Sequence, residues 1–140
     1  MPITVSIVED NEQLRTTLAR VLNRSDGFRC SSHYGSAEEA LKDLPTIKPE
    51  VVLMDINLPG INGVECVRQL KQLVPSVQVM MLTVYEDTEN IFSALAAGAT
   101  GYMLKRTKTP ELLEAIREVH RGGSPMTTHI ARKVTQSQRA

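Results

Sequence analysis

Four places in the chain carry side chains that could do chemistry together: the acidic pair Glu9-Asp10, a lone Asp55, Thr83, and Lys105, each directly after a short apolar run. An aspartate carboxylate has an ordinary pKa of about 3.9, so Asp55 is ionised at neutral pH and can attack phosphorus without a helper base. Three carboxylates brought to one edge repel, and without a cation at least one of their pKa values would rise. A small set of oxygen ligands beside an incoming phosphoryl group suits Mg2+, which keeps several waters and tolerates an open site. In phosphoryl transfer the protein mainly positions groups and neutralises equatorial charge, work suited to the metal, the Lys105 ammonium and the Thr83 hydroxyl. Taken singly, an Asp at a strand end is usually a cap or loop residue, Thr83 an ordinary strand-end residue and Lys105 a solvated charge. Only joint placement makes a site of them.

Placement depends on the elements between them. Ile3 to Val8 reads as a strand, and Asn11 opens a helix carrying Leu14, Leu18, Val21 and Leu22. Phe28 to Tyr34 is a second, more polar strand, followed by the capping-box start Ser36-Ala-Glu-Glu39 and a helix with Ala37, Ala40, Leu41 and Leu44. Glu50 to Asp55 is a short buried strand, Pro59-Gly60 a turn, and Val64, Val67, Leu70, Leu73 and Val74 form a helical apolar face that stops at Pro75. Val77 to Thr83 and Thr100 to Lys105 are the fourth and fifth strands, with a helix between them that ends at Ala97-Gly98. Thr109 as cap and Pro110 in the first turn start a fifth helix, lined by Leu112, Leu113, Ile116 and Val119 and ended by Gly122-Gly123. Five strands alternating with five helices, several strands apolar on both faces, predict an α/β doubly wound parallel sheet. Such sheets gather their chemistry at the carboxyl ends of the strands.

Val8-Glu-Asp-Asn11, Leu53-Met-Asp55-Ile-Asn-Leu-Pro-Gly60, Leu82-Thr83 and Tyr102-Met-Leu-Lys105 together make residues 3 to 122 resemble a two-component response-regulator receiver domain. The resemblance implies a flavodoxin-like sheet of order 2-1-3-4-5 with helices on both faces, Asp55 as phosphoacceptor and a phosphohistidine on a sensor histidine kinase as donor. Mg2+ is assigned to Glu9, Asp10 and Asp55 with the Asn57 backbone carbonyl. Thr83 is expected to swing toward a new phosphoryl oxygen, and in receivers the vacated space admits an aromatic of the fifth strand, here Tyr102. The expected output face is the fourth helix, fifth strand and fifth helix. Such a domain promotes its own phosphorylation and dephosphorylation and turns over no external substrate. Asn57 and Tyr85 occupy positions that influence phosphoryl lifetime in the family. Val84 departs from the smaller residue common after the switch threonine and is expected to narrow access to Asp55; Arg106 replaces a common proline, so no cis bond is expected there.

The chain has 140 residues, 41% of them apolar, and a formal net charge of zero, the size of one domain plus a tail. Its apolar runs are too short for a bilayer, and the N-terminus lacks the charged and apolar regions of an export signal, so a cytoplasmic location away from membranes is expected. Cys30 and Cys66 are far apart without CxxC spacing and are expected as buried free thiols; His33, His120 and His129 have no ligand spacing. From Val119 onward the charged side chains are Arg121, Arg132, Lys133 and Arg139, all basic, which read as a solvated linker. Gly122-Gly-Ser-Pro125 breaks the fifth helix, and Thr127 or Thr128 can cap a short sixth one carrying Ile130, Ala131 and Val134. With Gly98-Ala-Thr-Gly-Tyr102, this tail resembles the linker of nitrate-responsive, LuxR-type regulators. The expected organisation is a receiver over 1–122 and a linker over 123–140. A DNA-binding output domain absent from this chain would follow, and a homodimer would form on phosphorylation. Two other classes fit less well. A haloacid-dehalogenase-type phosphatase needs a second Asp where Asn57 stands, and a nucleotide-binding module needs a glycine-rich loop after the first strand.

Overall fold

The computed structural model describes residues 1–137. Its elements alternate as β1 (Ile3–Val8), α1 (Glu12–Arg24), β2 (Phe28–Tyr34), α2 (Ala37–Ile47), β3 (Val51–Met54), α3 (Gly63–Leu73), β4 (Gln78–Thr83), α4 (Thr88–Ala97), β5 (Gly101–Leu104), α5 (Thr109–His120) and α6 (Thr128–Ser137). The five strands form one parallel sheet of order β2-β1-β3-β4-β5. Side-chain parity divides the core between its faces. Val8, Val52, Met54, Val79 and Met81 pack with Ala40, Leu44, Val67, Leu70, Ile91 and Ala94 of α2, α3 and α4. Val5, Ile7, Leu53, Met80 and Leu82 pack with Leu22 of α1 and Leu112, Ile116 and Val119 of α5. Both faces of the central strands are therefore covered, as their unbroken apolar runs require.

Side-chain caps start four of the described helices, at Asn11 and Ser36 as the sequence indicates and at Asn62 and Asp87 beyond what its patterning indicates. The side chains of Asn11, Ser36, Asn62 and Asp87 accept from the amides of Leu14, Glu39, Glu65 and Asn90 at 3.0 to 3.3 Å, each satisfying one orphan donor. α5 differs from expectation: Lys108 is its cap residue, with no side-chain bond, and Thr109 already lies in the helix. Pro110 in the first turn lacks the N–H that a cap would otherwise satisfy. Leu73 also departs from its expected place, being 54% exposed at the end of α3. Val74 leaves helical geometry at φ −135° and is buried instead, while Cys66 supplies the remaining apolar contact within α3.

The segment after α5 is not a solvated strand of chain. Tyr102 N–H donates to the Pro125 carbonyl at 2.9 Å and Thr127 N–H to the Tyr102 carbonyl at 3.2 Å, so this segment pairs along the outer edge of β5. The Thr127 hydroxyl accepts from Leu104 N–H at 3.0 Å, which turns toward the sheet edge one of the two oxygens, Thr127 or Thr128, expected to cap α6; Thr128 already lies in the helix. Ile130 is fully buried in the core on the α4 side, and Lys133 donates to the Glu86 carbonyl. Arg121 and Arg132 are exposed, and Arg139 lies outside the described residues. No described helix is long and apolar enough to cross a membrane.

Candidate functional site

Register brings the chemistry-bearing residues to one edge. Val8 is paired with Met54, Met54 with Met81, and Met81 with Tyr102, a single row across the sheet. The next residues along each strand are Glu9-Asp10, Asp55, Leu82-Thr83 and, three beyond Tyr102, Lys105. Backbone bonds carry the alignment past the strands: Asp55 N–H to Val8 O at 3.1 Å, Glu9 N–H to Tyr34 O at 3.0 Å, and Lys105 N–H to Thr83 O at 2.9 Å.

The carboxylates of Glu9, Asp10 and Asp55 each have an oxygen within 4.8 Å of the others. Glu9 and Asp55 are 3% and 4% exposed, whereas Asp10 faces solvent. Lys105 Nζ lies 2.7 Å from Glu9 Oε1 and 2.8 Å from Asp55 Oδ2, bridging the buried pair. The remaining oxygens are also engaged: Asp55 Oδ1 accepts Ile56 N–H at 2.7 Å and Glu9 Oε2 accepts Asn11 N–H at 3.0 Å. Burial holds the Glu9 carboxyl above the ordinary glutamate range even though Lys105 and the Asn11 amide oppose the shift. Burial alone would lower the Lys105 pKa, but its bonds to Asp55 and Glu9 more than offset this and the net shift is upward. Three carboxylates against one ammonium leave an excess of negative charge at a partly open edge. Oxygens sharing one Mg2+ at about 2.0–2.1 Å would sit roughly 3–4 Å apart, so a small contraction of this cluster fits that ion. Asn57 is exposed in the loop between β3 and α3, two residues beyond Asp55.

Thr83 is fully buried, and among the described residues its hydroxyl meets only a long contact from Tyr85 N–H at 3.5 Å. The Tyr102 ring is already fully inside, with its hydroxyl donating to the Tyr85 carbonyl at 2.9 Å; burial raises its pKa. Thr83 and Tyr102 therefore meet the same residue, one at its N–H and the other at its C=O. Val84 is 63% exposed. Of the two thiols, Cys66 is buried and Cys30 only half-buried. Burial pushes the Cys66 thiol up to about 12, with the Glu38 charge adding to the shift, which closes thiolate chemistry there.

Sequence reading missed two supports of this edge. A Cβ on Gly63 would stand 1.8 Å from the Asp55 carbonyl oxygen, so α3 can begin against the Asp55 backbone only with glycine there. The Asn62-Gly63 dipeptide was the available signal, but it equally marks an ordinary turn. Arg15 is the other, reaching back from α1 to donate to the Glu9 carbonyl at 2.9 Å.

The family model for the response regulator receiver domain matches residues 5–117. Response regulator GacA of Pseudomonas viridiflava is 38% identical over 132 residues, which cover 94% of this chain and 62% of that protein. Transcriptional regulatory protein DegU of Brevibacillus brevis is 35% identical over 130 residues, covering 91% and 55%. The chain thus spans less than two thirds of the length of these relatives. A two-component response regulator of the LuxR family from Aurantimonas sp. SI85-9A1, solved by crystallography, superposes with a TM-score of 0.93 at 26% identity over the whole of both chains. With the match running through nearly every strand and helix that builds the acidic edge, the chain belongs to the response regulator receiver domain family of two-component systems.

Proposed function

We propose that Asp55 accepts a phosphoryl group from a phosphohistidine on a sensor histidine kinase, and that the resulting acyl phosphate switches the α4–β5–α5 face. The observation that carries this reading is the setting of Asp55, a buried carboxylate clamped by Lys105 and Ile56 N–H beside Glu9 and Asp10. An Asp55 oxygen bonds to phosphorus as the phosphorus–nitrogen bond breaks, and the donor imidazole leaves with the bonding pair. Glu9, Asp10, Asp55 and the Asn57 backbone carbonyl would hold Mg2+, which when bound neutralises phosphoryl oxygen charge. Lys105 exchanges its carboxylate partners for a phosphoryl oxygen. Hydrolysis of the acyl phosphate resets the domain, with no external substrate turned over.

A phosphoryl oxygen offers Thr83 a far better acceptor than any it has now. Its movement acts on Tyr85, which Tyr102 grips from the other side, so the signal passes into the loop before α4 without requiring the ring to swing in from solvent. Residues 1–122 form the receiver in this reading and 123–140 the linker. A relative named as a transcriptional regulatory protein supports an output domain downstream that acts on transcription; in this reading that domain alone would contact DNA, in the cytoplasm. Homodimerisation on phosphorylation would use the same switched face.

The test is intact mass after incubation with Mg2+ and acetyl phosphate. Wild type should gain one phosphoryl group and Asp55→Ala none; an equal adduct in the variant, or none in wild type, would sink the assignment. Val84→Ala should accept the group faster, by less than the ~10²-fold that a 1 Å misplacement of the reacting atoms costs. Equal rates would show that Val84 does not restrict the nucleophile.

A further inference from the structure

Arg15 stands outside the acidic cluster, yet its side chain is held by a backbone carbonyl and an imidazole, in space that a glycine leaves open. Helical side chains lean toward the helix N-terminus, so Arg15, in the first turn of α1, lies over the loop that joins β1 to α1. Nη1 donates to the Glu9 carbonyl at 2.9 Å, and Nε donates to His33 Nδ1, in β2, at 3.2 Å. Gly35 leaves the room: a Cβ there would sit 3.2 Å from Nη1. The guanidinium therefore spans the ends of two neighbouring strands, anchored at β2 and aimed at β1.

The bond it makes is specific in its target. The Glu9 carbonyl belongs to the peptide that joins Glu9 to Asp10, the two consecutive acidic residues of the cluster. The Glu9 N–H is already fixed by Tyr34 O and the Glu9 side chain by Lys105 and Asn11 N–H. Asp10 is exposed, and its Cα lies between two peptides: the Asp10–Asn11 peptide is held through Asn11 N–H on Glu9 Oε2, and the plane of the Glu9–Asp10 peptide is the one that Arg15 holds. A rigid planar fork held at one end by His33 is suited to fixing such a plane, whereas a lysine ammonium could replace the charge but not hold both acceptors.

We infer that Arg15 is a positioning residue for divalent-cation binding, orienting Asp10 through the Glu9–Asp10 peptide, with His33 and Gly35 as the cradle that fixes its guanidinium. This rests on the reading of Glu9, Asp10 and Asp55 as the cation ligands. Residues that orient metal ligands from behind typically change affinity by about 10- to 100-fold when removed, and one backbone bond at a half-exposed arginine belongs at the lower end.

The experiment is calorimetric titration of the full chain with Mg2+, alongside thermal unfolding without metal. Arg15→Ala and Arg15→Lys should both weaken Mg2+ binding about tenfold while leaving the metal-free transition close to wild type. His33→Ala should weaken binding to a smaller degree, and His33→Gln, whose carbonyl can accept from Nε, should restore it. Mg2+ affinity in Arg15→Lys equal to wild type would reduce the role to charge and overturn the inference, as would wild-type affinity in Arg15→Ala. If Arg15→Ala lowers the metal-free transition, Arg15→Lys and the His33 pair carry the decision at unchanged stability. Asp10→Asn separates the two levels of the argument. Binding lost there but intact in the Arg15 variants rejects the positioning role alone, whereas binding unaffected by Asp10→Asn rejects the ligand assignment and this inference with it.

Discussion

Gly63→Ala should destabilise the protein by about 3 kcal/mol or more, a large share of the roughly 5–15 kcal/mol that holds a domain of this size together. The added methyl carbon would stand 1.8 Å from the Asp55 carbonyl oxygen, 2.8 Å from the carbonyl carbon and 2.9 Å from the Ile56 Cα. All three are backbone atoms, so no rotamer change relieves the overlap. Gly63 N–H is also bonded to the Ile56 carbonyl at 2.8 Å, which prevents α3 from backing away without breaking that bond. Strand β3 is central and fully buried, and thus cannot yield in the other direction. The check is a denaturant titration read as a lower midpoint with an unchanged slope. Gly122→Ala provides the contrast. Gly122 has φ +93° but open space around its Cβ position, so only the backbone term of about 1 kcal/mol applies. If the two variants lose equal stability, close approach at Gly63 is not the reason for glycine there.

Gly63 also marks the boundary of what the sequence shows. Period-two and period-3.6 patterning, with the Gly98 stop for α4 and the Gly122–Pro125 break before α6, located all five strands and the six described helices, because those signals come from neighbours within a few residues of each other. Capping side chains at Asn11 and Ser36 act over three residues and were equally legible. At Thr109 the same local reasoning misplaced the cap by one residue, since a first-turn proline permits the helix to start without one. Leu73 fits the apolar stripe of α3, but the helix ends before that position meets the core, and Val74 takes the burial. The acidic edge needed more than local pattern. Glu9, Asp55 and Lys105 are about 50 residues apart from one to the next, and only the strand order brings them within bonding distance, an order that came from resemblance to receiver domains. Contacts such as Arg15 to the Glu9 carbonyl, or the Thr127 hydroxyl to β5, join a side chain to a backbone atom with no pattern of its own. Nothing in composition or spacing encodes them.

Lys105→Met should lower the rate of phosphorylation by about 10²–10³-fold, the usual consequence of removing one group that stabilises developing charge. Its effect on the resting protein is equally specific. Lys105 is the cation that bridges Glu9 and Asp55, both almost fully buried, and removing one partner of a buried pair typically costs about 3–5 kcal/mol because the remaining charge is uncompensated. Glu9 has an escape, since its pKa is already raised by burial and would rise further without the ammonium. A carboxyl whose folded pKa exceeds its unfolded value binds more protons in the folded state, so stability falls as pH rises through that interval. The destabilisation of Lys105→Met relative to wild type should therefore be smaller at an acidic pH, where the Glu9 carboxyl is protonated, than at a mildly alkaline one, where it approaches the about 3–5 kcal/mol of a broken buried pair. A divalent cation at the same carboxylates should recover much of it, so Mg2+ should raise the unfolding temperature of Lys105→Met more than that of wild type. Thermal unfolding at the two pH values, with and without Mg2+, gives the four numbers needed. A pH-independent loss, or an equal Mg2+ effect in both proteins, would mean that the ammonium does not offset the carboxylate repulsion. With Glu9 and Asp55 as the proposed cation ligands, that same ammonium would compete with the metal for them in wild type, and it would be free to meet a phosphoryl oxygen only once a cation held those carboxylates.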